Sequence, residues 1–572
     1  MTDDNINLKT KPKSCDFTID KEKGLFCDEE RISDYIEVVA LSRDDGGVRW
    51  KKRILFKDLD GKQRSVDIEQ KALCNYKEIF ETLFENGFDT SCDRLKLKKY
   101  LETARPEKRI TDIYTVGWTD DGSFVCPSFS ISKKEKFAFS LVGNIKASGF
   151  ARKGTLEEWR ENVCALCEGN KILTLALCVG LSGVLLKRLK YFNNAVINLT
   201  GRSSIGKTTA LYVAASLWGV PKRFMQQWRS TSNALEAVAE SYNDCLLILD
   251  ELSQIQAKDI GNIVYMLGNS KGKSRMNVNS ELKKNKEWTL SVLSSGEIGI
   301  ADKIAESGEK AKAGQLVRCI DIECFMSDEL GIYDTLHDDI PDGATFSKLL
   351  KEKTSEYYGT AAEAFLTQLI ESSIDIEGRF SELRQNFDER IGKKIDGQVS
   401  RVADLFVLYA LTGELACEFG IFSHKPAELK DLVFVLFEKW LDERGSVGAM
   451  EEKVVLQHVI GFLEQNNARI QNIILCGGGK RPEEQRNYNN LLGFREVLTQ
   501  SGEDAEIYYI IQKAFDGDVC GGMNKKLVKR ILKDKGILIL DSEGKNPKCP
   551  YTTPPYKRRV KLVIANNKNS DF

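Results

Sequence analysis

Apolar and polar positions along the chain change rhythm several times. Over residues 34–150, short apolar runs are bounded by turn signals such as DDGG and DLDGK, a β-rich pattern. Residues 35–40, 48–56, 65–68, 113–118 and 123–127 read as strands, with one amphipathic helix over 75–86. Over 151–350, long helical periodicity alternates with short, wholly apolar runs, the sign of an α/β domain. Residues 351–450 are helical in pattern and make a candidate lid, and 451–500 read as a helical connector. Residues 501–572 return to short strands around one strong helix, while 1–33 are expected to be a flexible N-terminus.

The most specific feature of the α/β region is Gly201-Arg-Ser-Ser-Ile-Gly206-Lys207-Thr208. The apolar run 195–200 before it reads as a buried parallel strand, and the segment after it as a helix. Strand, glycine loop and helix N-terminus together form a nest of backbone N–H groups aimed at phosphate oxygens. Gly201, Ser204, Gly206 and Thr209 are therefore expected to line the phosphates of ATP. Lys207 should reach the β and γ phosphates, and Thr208 should ligate Mg2+. A second apolar run, 245–249, ends in Asp250 and Glu251. Asp250 is placed to hold the metal, and Glu251 to orient and deprotonate an attacking water. The two motifs together are an ATPase signature.

Two further strands complete the expected sheet. The run 288–295 ends in Ser294 and Ser295, where a sensor of the γ-phosphate or lytic water would sit. Ser295 is the first choice and Ser294 the second. Arg318 stands beside a short strand, as a finger toward a neighbouring subunit's nucleotide or as a surface ion-pair partner. Arg401 opens a buried helix, as a lid arginine touching nucleotide or as a helix-edge charge.

The 572 residues argue for three or four domains, and the balance of 83 Lys+Arg against 84 Asp+Glu first suggests indifference to nucleic acid. Local charge changes that picture. Residues 271–286 hold Lys271, Lys273, Arg275, Lys283, Lys284 and Lys286 against the single acid Glu281, in a glycine-punctuated stretch that suits a hairpin. Such a hairpin can grip phosphates without reading sequence, or can be a solvated loop. Residues 521–572 carry thirteen basic and four acidic side chains. Lys525, Lys526, Lys529 and Arg530 lie on a basic amphipathic helix, and Lys557, Arg558 and Arg559 lead into a later strand. Helix, strand, basic turn and strand outline a winged helix, or a small protein-binding module.

Fifteen cysteines without an export signal read as reduced, mostly buried thiols. Cys164 and Cys167 form a C-x-x-C with no second ligand pair nearby, so core packing is expected. Three histidines leave little material for a His-based metal site. No apolar run approaches the roughly 18 residues of a membrane span, and the polar first residues lack a signal core. A cytoplasmic protein without membrane partners is expected.

Several ordered motifs give the chain a family likeness. Val116-Gly-Trp118, Leu156-Glu-Glu-Trp159, the 201–208 loop, Trp228-Arg-Ser-Thr-Ser-Asn, LLILDEL, Ser295-Gly-Glu297 and Ala313-Gly-Gln-Leu-Val-Arg318 resemble a domain-of-unknown-function family of phage and mobile-element helicase-like ATPases. Within it, the chain is similar to the replication helicases of staphylococcal cassette chromosomes and pathogenicity islands. The resemblance implies an MCM-like AAA+ ATPase core, a homo-hexameric ring acting on single-stranded or forked DNA at an origin, and an element-encoded primase or single-strand-binding partner. It implies that the 271–286 insertion projects into a central channel. By position, Lys207, Thr208, Asp250 and Glu251 match its Walker motifs, with Ser295, Arg318 and Arg401 matching sensor, finger and lid arginine. The fold expected is thus an α/β P-loop NTPase core with a β-rich N-terminal domain, a helical lid and a C-terminal winged-helix-like domain. The rival reading is a nucleotide-switched DNA-binding initiator or scaffold ATPase that does not unwind.

Overall fold

The computed structural model describes residues 16–133, 138–142, 149–189, 194–273, 285–337, 339–392, 395–444, 450–476, 479–482, 491–500, 503–539 and 559–565. Two compact units emerge: Met1–Ala311 with Arg318–Leu383 and Phe406–Phe434, and Lys312–Val317 with Arg384–Leu405 and Val435–Phe572.

The first unit opens with a three-stranded antiparallel sheet of β1 (Phe17–Asp20), β2 (Gly24–Cys27) and β3 (Glu30–Ser33). The flexible N-terminus expected over 1–33 is therefore corrected for 17–33. These strands are four residues each and partly polar, too short for an apolar rhythm. A second correction concerns thiols: Cys27 is disulfide-bonded, whereas eleven other described cysteines are free.

A five-stranded sheet follows, built from β4 (Ile36–Asp44), β5 (Lys51–Lys57), β6 (Gln63–Glu69), β7 (Arg109–Ile113) and, later in the chain, β11 (Ala138–Leu141). Its order is β11-β7-β4-β5-β6, with β4, β5 and β6 antiparallel and the β7 pairings parallel. Ile36, Val38, Ile54, Phe56, Val66 and Ile68 recur at every second position and form one buried face. The helices Tyr76–Glu85 and Arg94–Thr103 cover it through Ile79, Phe80, Leu83, Leu97 and Leu101. The strand expected over 113–118 is broken. β8 (Gly117–Trp118) leaves the large sheet to join β9 (Phe124–Val125) and β10 (Ser130–Ile131).

That departure ties the β-rich region to the next layer. Gly117 has φ +115°, and a Cβ there would stand 2.3 Å from Asp244 Oδ2. Asp244 Oδ2 instead accepts the Trp118 N–H at 2.9 Å, and the Trp118 indole N–H donates to the Val184 carbonyl at 2.9 Å. Burial pushes the Asp244 carboxyl up to about 6 despite the Lys187 ammonium 3.8 Å away. Its folded form holds a proton more tightly than the unfolded chain does. It therefore stabilises the fold at low pH and loses that contribution as pH rises through about 6. Between pH 7 and 5 the gain is about 1 kcal/mol. Calorimetric melting of wild type and Asp244→Asn at both pH values should show this gain in the wild type alone.

The central layer is a parallel sheet of β12 (Val196–Thr200), β13 (Gln226–Gln227), β14 (Leu246–Asp250), β15 (Ser291–Gly296) and β16 (Cys319–Glu323). The order is β13-β14-β15-β12-β16, and every pairing is parallel. Val196, Ile197, Leu246 to Leu249, Val292 and Leu293 are fully buried, which explains why these strands read as largely apolar runs. The helix Lys171–Leu186 is buried almost all round and lies against the start of β14. Cys164 and Cys167 are buried on the tight turns before it, and burial raises both thiols, as core packing requires.

Helices Gly343–Glu356, Ala361–Glu371, Ile376–Ile391, Gly397–Glu418 and Pro426–Arg444 follow. In the second unit the helix Met450–Gln465 precedes β17 (Ile470–Cys476), β18 (Gly479–Pro482), β19 (Gly493–Gln500), β20 (Glu503–Ile511), β21 (Leu538–Ile539) and β22 (Arg559–Ala565). The expected helical connector over 451–500 is thus a long helix only to Gln465, and the described residues beyond it include β17, β18 and β19. The helix Lys525–Asp534 buries Val528, Ile531 and Leu532 against Val455, Val459 and Leu463. β21 and β22 pair antiparallel as wing strands would, but inside one six-stranded sheet of order β18-β17-β19-β20-β22-β21. The C-terminal module is therefore larger than 501–572. No described helix is long and apolar enough to cross a membrane.

Candidate nucleotide site

β12 delivers the chain to the glycine loop at its C-terminal end, the edge where open α/β sheets bind ligands. Gly201, Ser204 and Gly206 take φ values of +143°, +64° and +106°. A Cβ on Gly206 would lie 2.9 Å from the Tyr333 hydroxyl, so only glycine fits that turn. The helix Lys207–Ser216 starts immediately, placing first-turn N–H groups and a positive dipole end over the loop. Thr208 is half-buried and Thr209 buried in this turn. The Lys207 side chain curls back under the loop, its ammonium donating to the Gly201 and Arg202 carbonyls at 2.7 and 2.5 Å. Burial lowers its pKa, while Glu297, Glu251 and Asp250 favour the charged form.

β14 brings Asp250 to the same edge, and β15 brings Ser294 and Ser295. Successive strand residues face opposite ways, and here that separates two roles. The Ser295 hydroxyl donates to Asp250 Oδ1 at 2.5 Å and accepts the Glu251 N–H at 3.4 Å. Ser294 is tied into the sheet, accepting the Trp228 indole N–H at 2.8 Å and donating to Asn198 Oδ1 at 3.1 Å. Asn198 donates to Asp321 Oδ1 at 2.7 Å, and Asp321 Oδ2 accepts the Ile300 N–H at 2.9 Å. This buried chain spans β15, β12 and β16 and holds them in register. Sequence reasoning passed over it, although a lone Asn inside the apolar run of β12 was its signal.

Glu251 has φ +64°, a left-handed conformation that costs a non-glycine residue energy and turns its side chain away from the strand direction. The Ser253 hydroxyl bonds its carboxylate, and the Lys303 ammonium fixes the Ser253 carbonyl at 2.9 Å. Burial raises the Asp250 carboxyl, partly countered by the bond from Ser295. The positive-φ loop, the buried ammonium and the two acids fit a polyphosphate with its divalent cation. No cluster of three His, Cys, Asp or Glu side chains that could hold a metal occurs among the described residues. Magnesium bound through one carboxylate, one hydroxyl, phosphates and water needs none.

The remaining predicted residues lie elsewhere. Arg318 precedes β16, and the register Val196↔Cys319 to Thr200↔Glu323 places it at the N-terminal edge of the sheet. Five strand residues, roughly 16 Å, separate that edge from the loop, so Arg318 does not reach the nucleotide site of its own chain. Its guanidinium stacks over the Tyr265 ring at 5.2 Å. The same edge carries the two described ends of the 271–286 segment, which the sequence reading expects to be a hairpin. Lys271 pairs antiparallel with Glu287, and the Gly272 N–H donates to the Lys286 carbonyl. Lys271 and Lys286 also meet Glu287 and Glu240 at 3.4 and 2.6 Å, while Lys273 is exposed. Arg275, Lys283, Lys284, Lys557 and Arg558 lie outside the described residues. Arg401 is exposed on its helix in the second unit. Lys525, Lys526 and Arg530 are exposed, Lys529 meets Asp516 at 3.5 Å, and Arg559 opens β22.

Comparison with known proteins follows the same lines. Residues 13–287 match the family described as "Domain of unknown function (DUF927)". No curated protein matches the chain. Among solved structures, the SCCmec type IV Cch protein, an active helicase, superposes with a TM-score of 0.68 at 18% identity, over 97% of this chain and 98% of that one. The NrS-1 C-terminal region gives a TM-score of only 0.23 at 11% identity, over 70% of this chain and 92% of that one. NtrX from Brucella abortus with ATP gives 0.19 at 13%, over 56% and 64%. Residues 13–287 thus resemble the DUF927 family, and the chain as a whole shares the fold of the Cch helicase.

Proposed function

We propose that the chain is an ATP-driven DNA helicase of a phage or mobile element, working in replication as a hexameric MCM-like AAA+ ring. The observation that carries this reading is one convergence. The glycine loop, Lys207, Asp250 and Glu251 meet at the C-terminal edge of a single parallel sheet, with Ser295 bonded to Asp250 and to the Glu251 backbone. The strand bearing the acids is separated from the loop strand by the one bearing Ser295, the arrangement in which a sensor stands between phosphate and acid.

Gly201, Ser204, Gly206 and Thr209 would cradle the phosphates of ATP, and Thr208 and Asp250 would hold Mg2+. The metal supplies charge neutralisation on the phosphates. Lys207 offsets phosphate charge from a buried position, where its field is weakly screened. Glu251 accepts the proton of the attacking water once its carboxylate leaves Ser253, and Ser295 orients both acids. Arg318, remote from its own site, would serve a neighbouring subunit in a head-to-tail ring, and Arg401 would act from the lid. The basic 271–286 segment, expected as a hairpin and with its ends on the edge opposite the phosphate loop, would grip the DNA backbone, with the Lys525–Asp534 helix as a second contact. The likeness of fold to an active helicase supports this assembly of parts.

Binding measurements across a salt series test the DNA assignment. Lys271→Glu combined with Lys273→Glu should weaken single-stranded DNA binding and flatten its salt dependence by about 0.7 in log–log slope per lost phosphate contact. An unchanged slope would remove the hairpin from the DNA path. Sequence-specific duplex binding without unwinding would favour the initiator reading instead.

A further inference from the structure

The β-rich region contains a cleft that shares no residue with the phosphate loop or the acids that follow β14. A cleft of about 510 Å³ opens where β4, β5 and the end of β6 meet the segment after the helix Arg94–Thr103. Its lining includes Arg49, Trp50, Lys52, Lys71 and Arg105 against one carboxylate, Glu69. Lys52 is consumed by the fold: its ammonium donates to the carbonyls of Leu101, Glu102 and Ala104 and caps the helix end. Arg49, Lys71 and Arg105 are exposed at the rim, where Lys71 meets Glu69 at 2.7 Å and Arg105 donates to the Glu102 and Ala104 carbonyls.

Two large aromatic side chains flank this rim, each 40% exposed: Trp50 and Tyr114. Both carry cations on their rings. Arg43 lies 5.7 Å from the Trp50 centroid, and Arg49 and Lys51 lie 5.3 and 5.7 Å from that of Tyr114. Arg49 is held at φ +54°, in the left-handed region, and Asp44 bonds its guanidinium at 3.2 Å. An exposed indole with Arg43 on its ring thus lines a cleft whose rim carries three further cations. Flat rings flanked by cations are the means by which proteins hold unpaired bases and their phosphates without reading sequence.

We propose that this cleft binds single-stranded nucleic acid, with a base stacked on Trp50 and the adjoining phosphates against Arg49, Lys71 and Arg105. Duplex is excluded, because its bases are already stacked and cannot enter. The site is independent of the ATPase reading and does not require that the chain unwinds DNA.

The test uses the full chain and a fluorescein-labelled oligothymidylate carrying 4-thiothymidine. Photocrosslinking followed by peptide mapping should place crosslinks on residues 48–53. Trp50→Ala should weaken oligothymidylate binding about tenfold, Trp50→Phe should retain it, and Lys71→Glu should lower its salt dependence. Trp50 is at the surface, and circular dichroism melting verifies that the variants fold. An unlabelled duplex of equal length should not clear the crosslink. Absence of crosslinks from this cleft, or equal affinity of wild type and Trp50→Ala, overturns the proposal. Clearance by thymidine monophosphate as effective as by the oligonucleotide, at equal nucleotide concentration, overturns it in favour of a free-nucleotide site.

Discussion

Glu251→Gln should lower steady-state ATP turnover about 100- to 10,000-fold, the range associated with loss of a general base, while ATP still binds. The reason lies in how the two acids are held. Asp250 is half-buried and bonded to Ser295, the position proposed to hold the metal, whereas Glu251 leaves the strand in a left-handed turn with its carboxylate on the Ser253 hydroxyl. A glutamine keeps that shape and the bond to Ser253 but cannot take a proton. Lys207→Ala makes the contrast: it removes a buried cation from the phosphate loop and should abolish nucleotide binding as well. Phosphate release and nucleotide affinity, measured on both variants, separate the two roles. Turnover by Glu251→Gln within a factor of ten of wild type would assign the base elsewhere.

Gly183→Val should unfold the α/β core at a distinctly lower temperature, or prevent its folding. Gly183 lies in the helix Lys171–Leu186, and a Cβ there would stand 2.1 Å from the Cys245 carbonyl oxygen and 2.7 Å from its carbon. Both are backbone, at the head of the strand that carries Asp250, so no side-chain rotation relieves the clash. Overpacking of this type costs about 3 kcal/mol or more when backbone must move. Gly461→Ala is the control, because no described atom lies within 4 Å of its Cβ position. Fluorimetric melting should show a loss of several degrees for Gly183→Val and none for Gly461→Ala. Equal melting temperatures would mean that helix and strand do not meet as described.

The nucleotide edge was legible in the sequence because its parts are local. A buried parallel strand is a contiguous apolar run, and the loop and acids follow such runs directly. What joins the parts is not local. Strand order and register decide that Ser295 rather than Ser294 meets the acids, and that Arg318 lies at the far edge, and neither is encoded within a window of a few residues. The Trp228–Ser294–Asn198–Asp321 chain escaped for the same reason, since its members come from four separate segments. Elsewhere the rhythm itself misled. The strands of 17–33 are too short and polar to show a period, and the apolar content of 470–500 fits strand as well as helix. The cleft at Trp50 left no motif at all, because it depends on cations brought together from the turn before β5, the turn after β6 and the segment beyond Thr103.

The central claim is that this chain converts ATP hydrolysis into strand separation. Displacement of a labelled strand from a forked DNA duplex by the purified oligomer tests it most directly. Displacement that requires ATP and is lost in Glu251→Gln is expected. A wild-type oligomer that hydrolyses ATP and binds the fork, yet releases no strand, would contradict it.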